Sequence, residues 1–320
     1  MKPPYEITSD ILKKIAAISE KIGRVNAQYL NKQNPQLRKQ NKIKTIHSSL
    51  QIEGNTLSEE QITALIENKR VVGAQKDILE VLNAIAVYDQ LKSYKSTSEK
   101  DFIAAHKALM KDLVADAGKY RKQSVGIVKG TKLEHLAPPA ERVAFLMKDL
   151  FSYAKDKSEL SLIKSCVFHY ELEFIHPFLD GNGRMGRLWQ TLILKEEYPI
   201  FESLPFETLI SKNQNDYYKA LSQSDKEGKS TIFIAYMLGI IEASLDELLD
   251  SKITALKDTE RLAYFMTQQA DSFSRKDYLN TFKEISSATA SRDLKKGIDL
   301  GLLAKEGDKK MTVYKIIERA

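Results

Sequence analysis

Apolar residues recur every three to four positions along most of this chain, and that spacing is typical of amphipathic α-helices. It predicts helices over residues 11–30, 45–52, 77–93, 99–113, 140–154, 160–174, 184–197, 213–222 and 230–249. The basic and polar stretch 31–44 contains Pro35 and is predicted to be a loop that leads into the next helix. The chain is therefore predicted to be mainly α-helical.

Local signals mark the end of one of these helices and the start of a further one. Gly54 and Asn55 tolerate the left-handed backbone that ends a helix, so we expect the short helix 45–52 to stop at Glu53. Ser58 is followed three residues later by Gln61, which is the form of a capping box and predicts the start of another helix.

Two regions depart from the helical pattern. Glycines and prolines punctuate residues 118–139, which predicts a short β-hairpin or an irregular loop. After about residue 255 the pattern becomes two or three helices followed by a strand pair, 303–305 and 312–316. We therefore expect an N-terminal helical region over 1–44, a central domain over 45–254 and a C-terminal domain over 255–320.

Composition limits the class of protein. The 320 residues are 42% hydrophobic and 29% charged, which is ordinary for a soluble globular protein. The single cysteine, Cys166, lies in an apolar run, so we expect a buried thiol in a reducing compartment. Neither an apolar leader nor an apolar run of about 20 residues is visible. We expect a cytoplasmic protein with no membrane contact.

The segment HPFLDGNGRMGR, residues 176–187, gathers groups that suit phosphate chemistry. Its closely spaced glycines allow backbone N–H groups to form an anion nest at the positive end of the following helix. Arg184 and Arg187 lie about one turn apart and offer two guanidinium forks to a polyphosphate. Asp180 is a hard oxygen ligand for Mg²⁺, and His176 can accept a proton near neutral pH.

Each of these groups alone is more often an ordinary turn, a surface histidine or a solvated arginine. Together, within twelve residues, they indicate transfer at a phosphorus centre. The segment is not a Walker A loop, because it lacks Gly-Lys-Ser/Thr, and no predicted strand precedes it as a Rossmann fingerprint requires.

The same twelve residues resemble the signature of the Fic family, His-x-Phe-x-Asp/Glu-Gly-Asn-Gly-Arg-x-x-Arg, at every fixed position. The resemblance extends over about residues 45–250. Residues 118–139 are similar to the family's flap, a β-hairpin that aligns the backbone of the target, and residues 215–221 also resemble the family. The resemblance implies a mostly helical Fic (Fido) fold with a β-hairpin flap.

The resemblance also implies an activity: transfer of AMP from ATP to a Ser, Thr or Tyr hydroxyl of a protein, with release of pyrophosphate. His176 would be the general base, and Asp180 would hold Mg²⁺. The anion hole would consist of Gly181, Asn182 and Gly183, and the β- and γ-phosphates would be held by Arg184 and Arg187. Tyr217 and Tyr218 are candidates for the nucleotide base pocket, although tyrosines at such positions are equally often core residues.

Residues 49–55, SLQIEGN, look like the inhibitory motif of the family, Ser/Thr-x-x-x-Glu-Gly/Asn, placed N-terminal to the catalytic motif. The motif begins at Ser49. If residues near 45–55 form a short helix, Glu53 would point at Arg187. Its carboxylate would then take the position that the γ-phosphate needs. The alternative is an ordinary helix end. In some relatives the same glutamate positions a water that removes AMP from the target, and the sequence leaves the direction open.

The C-terminal residues look like a winged helix-turn-helix domain. Residues 251–320 carry +4 of the net charge of +6, from fourteen basic and ten acidic residues. In such a fold the second helix would present Ser287, Thr289 and Arg292 to a DNA major groove. Winged helices also serve as protein-binding or dimerising modules, so DNA contact, protein binding and a homodimer all stay open.

The sequence leaves three functions open. The first is an adenylyltransferase that acts on another protein or on itself. The second is transfer of a different group, such as UMP, phosphate or phosphocholine, by the same site. The third is a DNA-binding regulator whose Fic module senses a nucleotide.

Overall fold

The computed structural model describes residues 2–29, 35–129, 132–255, 258–266, 272–283, 285–307 and 312–317. For residues 27–29, 35–36, 127–129, 132–136 and 251–255 it describes the backbone alone. The chain folds into two compact units, Met1–Leu245 and Asp246–Ala320. Within the described parts of the chain, every helix is too short or too polar to span a membrane.

The first unit is built mainly from helices. In chain order they are α1 Ser9–Tyr29, α2 Pro35–Ile52, α3 Glu59–Ile66, α4 Gln75–Asp89, α5 Glu99–Leu109, α6 Ala140–Ala154, α7 Ser161–Ile175, α8 Asn182–Glu197, a 3-10 helix Pro199–Ser203, α9 Glu207–Lys212, α10 Gln214–Glu227 and α11 Thr231–Ala255. Two strands, β1 Gly126–Lys129 and β2 Lys132–Leu136, pair antiparallel with an irregularity between Ile127 and Val128. The division between the two units falls within α11.

The centre of this unit is formed by α7 and α8, which are buried along most of their length. The buried residues of α7 are mainly apolar, whereas α8 also buries Arg184, Arg187 and Gln190. Trp189 of α8 is fully buried, and its ring meets Phe102 of α5 edge to face at 5.0 Å between centroids. Cys166 of α7 is fully buried as predicted, and burial raises the pKa of its thiol to about 12. The segment 176–187 thus connects two buried helices.

The predicted helix boundaries are mostly within a few residues of those observed, with one clear error. The stretch 31–44 was predicted to be a loop, but α2 already begins at Pro35. Proline is favoured in the first turn of a helix, and the Lys, Arg, Gln and Leu residues that follow are good helix formers. Residues 30–34, including the predicted helix end at Leu30, lie outside the described residues.

The turn signals after α2 are confirmed. Gly54 has a φ of 91°, the left-handed conformation that ends the helix. Ser58 accepts a hydrogen bond from the N–H of Gln61, and the Gln61 side chain accepts one from the N–H of Ser58. These contacts form the predicted capping box at the start of α3.

The second unit has its own core and a small antiparallel sheet. Its elements are α12 Asp258–Met266, β3 Ser272–Phe273, α13 Arg275–Thr281, α14 Ser287–Asp299, β4 Leu303–Glu306 and β5 Val313–Ile316, with sheet order β3-β5-β4. The predicted strand pair corresponds to β4 and β5, whereas β3 was not predicted. Asp293 of α14 is buried and accepts hydrogen bonds from Arg261 at 2.7 and 3.1 Å and from Tyr278 at 3.1 Å.

Candidate active site

A cavity of about 230 Å³ opens where α7 ends and α8 begins. The predicted site residues that line it are Glu53, His176, Asp180, Gly181, Asn182, Gly183, Arg187, Tyr217 and Tyr218. A larger cavity of about 310 Å³ lies beside Arg38, Lys42 and Ser203, away from the motif. We assign the site to the smaller cavity because His176, Asp180 and Arg187 all line it.

The backbone of the motif is held in conformations that only a few residues tolerate. His176 ends α7 with a φ of 49°, and Gly181 precedes α8 with a φ of 86°. A methyl group on Gly181 would also lie 2.8 Å from the sulfur of Met110. The side chain of Asn182 donates to the carbonyl oxygen of Phe178 and accepts from its N–H, both at 2.9 Å. Asn182 therefore braces the loop with its side chain, which leaves its backbone N–H at the start of α8 for the phosphate contact that the sequence predicts.

Two residues that sequence reasoning missed hold this loop from outside. Arg121 is buried and donates to the carbonyl oxygens of His176 at 2.7 Å and Pro138 at 2.6 Å, so it joins both ends of the segment 118–139 to the motif. His106 stacks on Phe178 with 3.5 Å between ring centroids. A buried arginine whose partners are all backbone carbonyls has no pattern in the sequence that would reveal it.

The protonation of His106 follows from its two contacts. Its Nδ1 accepts a hydrogen bond from the N–H of Gly118 at 2.9 Å, so the proton resides on Nε2, which donates to the carbonyl oxygen of Asp180 at 3.0 Å. Burial lowers the pKa of His106 to about 4. His106 is therefore a neutral brace at ordinary pH rather than a second base.

Arg187 is fully buried and is held by the end of α2. Its Nη2 donates to Oε1 of Glu53 at 2.7 Å and to the carbonyl oxygen of Ser49 at 2.9 Å, and its Nε donates to Oγ of Ser49 at 3.1 Å. Burial opposes the charge on Arg187, but the neighbouring Glu53 raises its pKa above the ordinary value. The structure thus brings together the three residues of the predicted inhibitory contact.

Gly183 lies directly against this contact. A methyl group at this position would be 2.5 Å from Oε1 of Glu53 and 3.1 Å from Nη1 of Arg187. Nη1 is buried and, among the described residues, has no hydrogen-bond partner. Because it faces the same space as Gly183, an anion that entered there would meet an unsatisfied donor.

Arg184 points away from Arg187 to a different pair of carboxylates. Its Nη2 donates to Asp180 at 2.9 Å, and its Nη1 donates to Glu80 of α4 at 3.2 Å. Asp180 is 46% exposed, whereas Glu80 is buried. Arg187 lines the cavity, whereas Arg184, which was also predicted to hold phosphate, is not among the residues that line it and is connected to it through Asp180.

The two predicted tyrosines differ in their surroundings. Tyr217 is buried, and its hydroxyl lies 3.0 Å from Nε2 of His169 and donates to Glu173 at 3.2 Å. Tyr218 is half-buried and accepts from Gln214 at 3.2 Å. Tyr217 therefore serves a buried polar network, and Tyr218 is the more accessible of the two on the cavity wall.

Comparisons with known proteins identify the family of the chain. Residues 96–194 match the family described as Fic/DOC. A Fic family protein from Desulfovibrio desulfuricans G20 has a similar crystal structure, with a TM-score of 0.76 and 38% identity over 100% of this chain and 99% of that chain. Fic-1 from C. elegans has the same fold, with a TM-score of 0.62 and 21% identity over 77% of this chain and 74% of that one. The chain belongs to the Fic family.

Curated relatives are longer than this chain. Protein adenylyltransferase Fic of Nematostella vectensis is 30% identical over 218 residues, which are 64% of this chain and 48% of the relative. Protein adenylyltransferase fic-1 of Caenorhabditis elegans is 27% identical over 66% of this chain and 42% of the relative. The chain thus spans about half the length of the curated relatives that it matches.

Proposed function

We propose that the protein transfers AMP from ATP to a hydroxyl group of a protein and that Glu53 restrains this activity. One observation carries the proposal: the Glu53 carboxylate lies 2.7 Å from the buried guanidinium of Arg187, inside the cavity that the motif lines. A terminal phosphate would form the same charge-assisted contact. The names of the curated relatives supply the reaction type.

In this reaction the hydroxyl oxygen of the target attacks the α-phosphorus of ATP. A new phosphoester bond forms, the bond to the bridging oxygen of the β-phosphate breaks, and pyrophosphate leaves. His176 lines the cavity and would accept the hydroxyl proton. The first turn of α8 and Arg187 would bind the phosphate oxygens and stabilise the charge that develops on them.

The unsatisfied nitrogen of Arg187 supports a phosphate at this place. Nη1 is buried and has no hydrogen-bond partner among the described residues. Leaving such a donor unsatisfied costs about 1–3 kcal/mol. A phosphate oxygen next to Gly183 would remove that cost once Glu53 had moved away.

Asp180 fits the role of Mg²⁺ ligand. Its side chain lines the cavity and is 46% exposed. Among the described residues, no group of three or more His, Cys, Asp or Glu side chains could hold a metal by itself. A nucleotide-bound Mg²⁺ typically uses one or two carboxylates together with phosphate oxygens and water, so Asp180 suffices. The ion would neutralise phosphate charge.

Replacing His176 with alanine tests the reaction. We expect His176→Ala to abolish labelling of protein by ATP that carries a label on its α-phosphate. Undiminished labelling would contradict the proposed role of the histidine.

For the second unit we propose a winged helix-turn-helix that contacts DNA. The observation that favours it is the exposed face of α14, where Ser287, Arg292 and Lys295 are all exposed. Thr289 is less available, because its Oγ1 lies 3.0 Å from Oγ of Ser286 and accepts a hydrogen bond from Arg292 at 3.4 Å. A basic face on a helix that follows a capped turn suits the phosphates and base edges of a duplex.

A further inference from the structure

Glu80 of α4 is a buried carboxylate that the phosphate chemistry above does not use. Its Oε1 accepts from Nη1 of Arg184 at 3.2 Å, and its Oε2 accepts from Nδ2 of Asn55 at 2.8 Å. Lys76 lies 3.9 Å from Oε1, but its side chain is 72% exposed. A buried carboxylate is unfavourable unless charged and polar partners surround it. Arg184 and Asn55 therefore stabilise the buried charge of Glu80, and Glu80 in turn holds both side chains in place.

The first of these partners is Arg184, which the motif predicts to hold a phosphate of ATP. Arg184 is 4% exposed, and its other carboxylate partner is Asp180. Asp180 is the exposed member of the pair and the residue proposed for Mg²⁺. If Asp180 leaves Nη2 of Arg184 to bind an ion, Glu80 still holds the guanidinium through Nη1. The buried carboxylate of Glu80 thus fixes the position of the Arg184 guanidinium.

The second partner belongs to the turn that follows Glu53. Asn55 is buried, donates to the carbonyl oxygen of Asp77 at 3.1 Å and accepts from the N–H of Leu57 at 3.1 Å. With the bond to Glu80, every polar group of its carboxamide binds the turn or α4. Since only Gly54 separates Asn55 from Glu53, the inhibitory carboxylate is anchored through Glu80 as well as through Arg187.

We propose that Glu80 is a positioning residue with two roles. Its Oε1 holds Arg184 in place for the phosphates, and its Oε2 holds the turn that carries Glu53. Arg187 contacts the end of α2 directly, and Arg184 is joined to the same segment through Glu80. This inference rests on the proposed nucleotide chemistry for its activity readout.

The first test measures nucleotide binding in the Glu53→Gly background, where the inhibitory carboxylate is absent. Glu80→Gln removes the negative charge. The new amide N–H₂ group faces either Arg184 or Asn55, and because both of these donate hydrogen bonds to Glu80, one of the two bonds is lost. By calorimetry with a non-hydrolysable ATP analogue and Mg²⁺, we expect Kd to rise about tenfold, the loss typical of a hydrogen bond to a charged group. KM for ATP should rise similarly, while kcat should change less.

The control is Asp77→Asn, on the same helix. Asp77 holds the same segment by accepting from the N–H of Thr56 at 3.0 Å and from its hydroxyl at 2.6 Å. We expect this variant to keep the parent Kd. Equal effects of Asp77→Asn and Glu80→Gln would overturn the proposal, because they would show a general loosening of the turn.

A double-mutant cycle separates positioning from folding. With Arg184→Ala already present, Glu80→Gln should leave Kd unchanged; a further tenfold rise would contradict the proposal. If Glu80→Gln fails to fold, Glu80→Asp replaces it in the same cycle, because it keeps the charge but shortens the reach. These binding results decide the role of Glu80 even if no variant transfers AMP, so failure of the proposed function is distinguishable.

The second role is tested through Asn55. Asn55→Ala removes the bond to Oε2 and leaves Arg184 untouched. We expect a severalfold gain in AMP transfer when Glu53 is present and no gain when the change is combined with Glu53→Gly. A gain of the same size in both backgrounds, or in neither, would overturn the link between Glu80 and the inhibitory turn.

Discussion

Glu53 and Arg187 form an ion pair that is buried on one side only. Oε1 of Glu53 accepts from Nη2 of Arg187 at 2.7 Å, and the arginine is fully buried while the glutamate is 28% exposed. The arginine is fixed in the core helix α8, whereas Glu53 lies in the turn that ends α2. Release of the pair therefore requires movement of the glutamate alone, and the arginine stays where a phosphate would meet it.

Glu53→Gly should raise AMP transfer, including transfer onto the enzyme itself, by about tenfold or more, since one hydrogen bond between charged groups contributes on the order of 1.5–3 kcal/mol. Labelling with α-labelled ATP measures the gain. Gln51→Gly is the matched control, because it adds the same flexibility to an exposed position of α2. An equal gain in the control would assign the effect to loosening of the helix rather than to Arg187.

Gly186→Ala should destabilise the first unit by about 1–3 kcal/mol, the usual cost of overpacking a core. Its methyl group would lie 2.5 Å from the ring of His169, which is fully buried and bonded to Gln190 and Tyr217 and so cannot give way. Gly239→Ala in α11 is the control, because a methyl group there meets nothing within 4 Å. It should stabilise by about 0.5–1 kcal/mol. Urea unfolding compares them, and equal shifts would contradict the packing described for α7 and α8.

Glu207 should make stability decrease with rising pH. Burial raises the pKa of this fully buried carboxyl from 4.5 to about 8, so the folded chain keeps a proton that the unfolded chain releases. The stabilisation is complete below pH 4.5 and is lost as pH rises through 8, by about 5 kcal/mol at most. In urea unfolding from pH 6 to pH 9, Glu207→Gln should flatten this decrease. Glu202→Gln, at a more exposed carboxylate, should not.

Duplex DNA should be retarded by the protein in a gel shift at low salt. Arg292→Ala should weaken the binding. It should also reduce the slope of log K against log salt concentration by about one, since one phosphate contact is lost. Lys226→Ala is the control, because this exposed lysine belongs to the first unit. If no duplex is retarded, a protein-binding role for α14 replaces the DNA proposal.

The parts of the fold that follow local chemistry could be predicted from the sequence. The capping box at Ser58 and the left-handed Gly54 depend on neighbouring residues, and both were found as expected. The start of α2 at Pro35 was missed, because a basic polar stretch with proline resembles a loop unless the first-turn preference of proline is given weight. Likewise, the short helix α9 lies between a connector and another helix and has too few residues to show a period.

The candidate site divides in the same way. The contacts of Arg187 with Ser49 and Glu53 could be expected because a sequence motif covers both sides of them. Arg121, His106 and Glu80 could not, because each acts through a partner that is distant in the chain and is identified only by the tertiary fold. Asn182 shows a third case: the residue lies at the site, but its side chain braces Phe178.

In the proposed function His176 accepts the proton of the target hydroxyl during transfer of AMP from ATP, and Glu53 restrains this transfer. The most direct measurement is the mass of the protein after incubation with Mg²⁺ and ATP, UTP or GTP, for the wild type, Glu53→Gly and Glu53→Gly with His176→Ala. We predict an AMP-sized addition with ATP on Glu53→Gly, little on the wild type and none on the double variant. An addition of another size, or one that persists without His176, would contradict the proposed function.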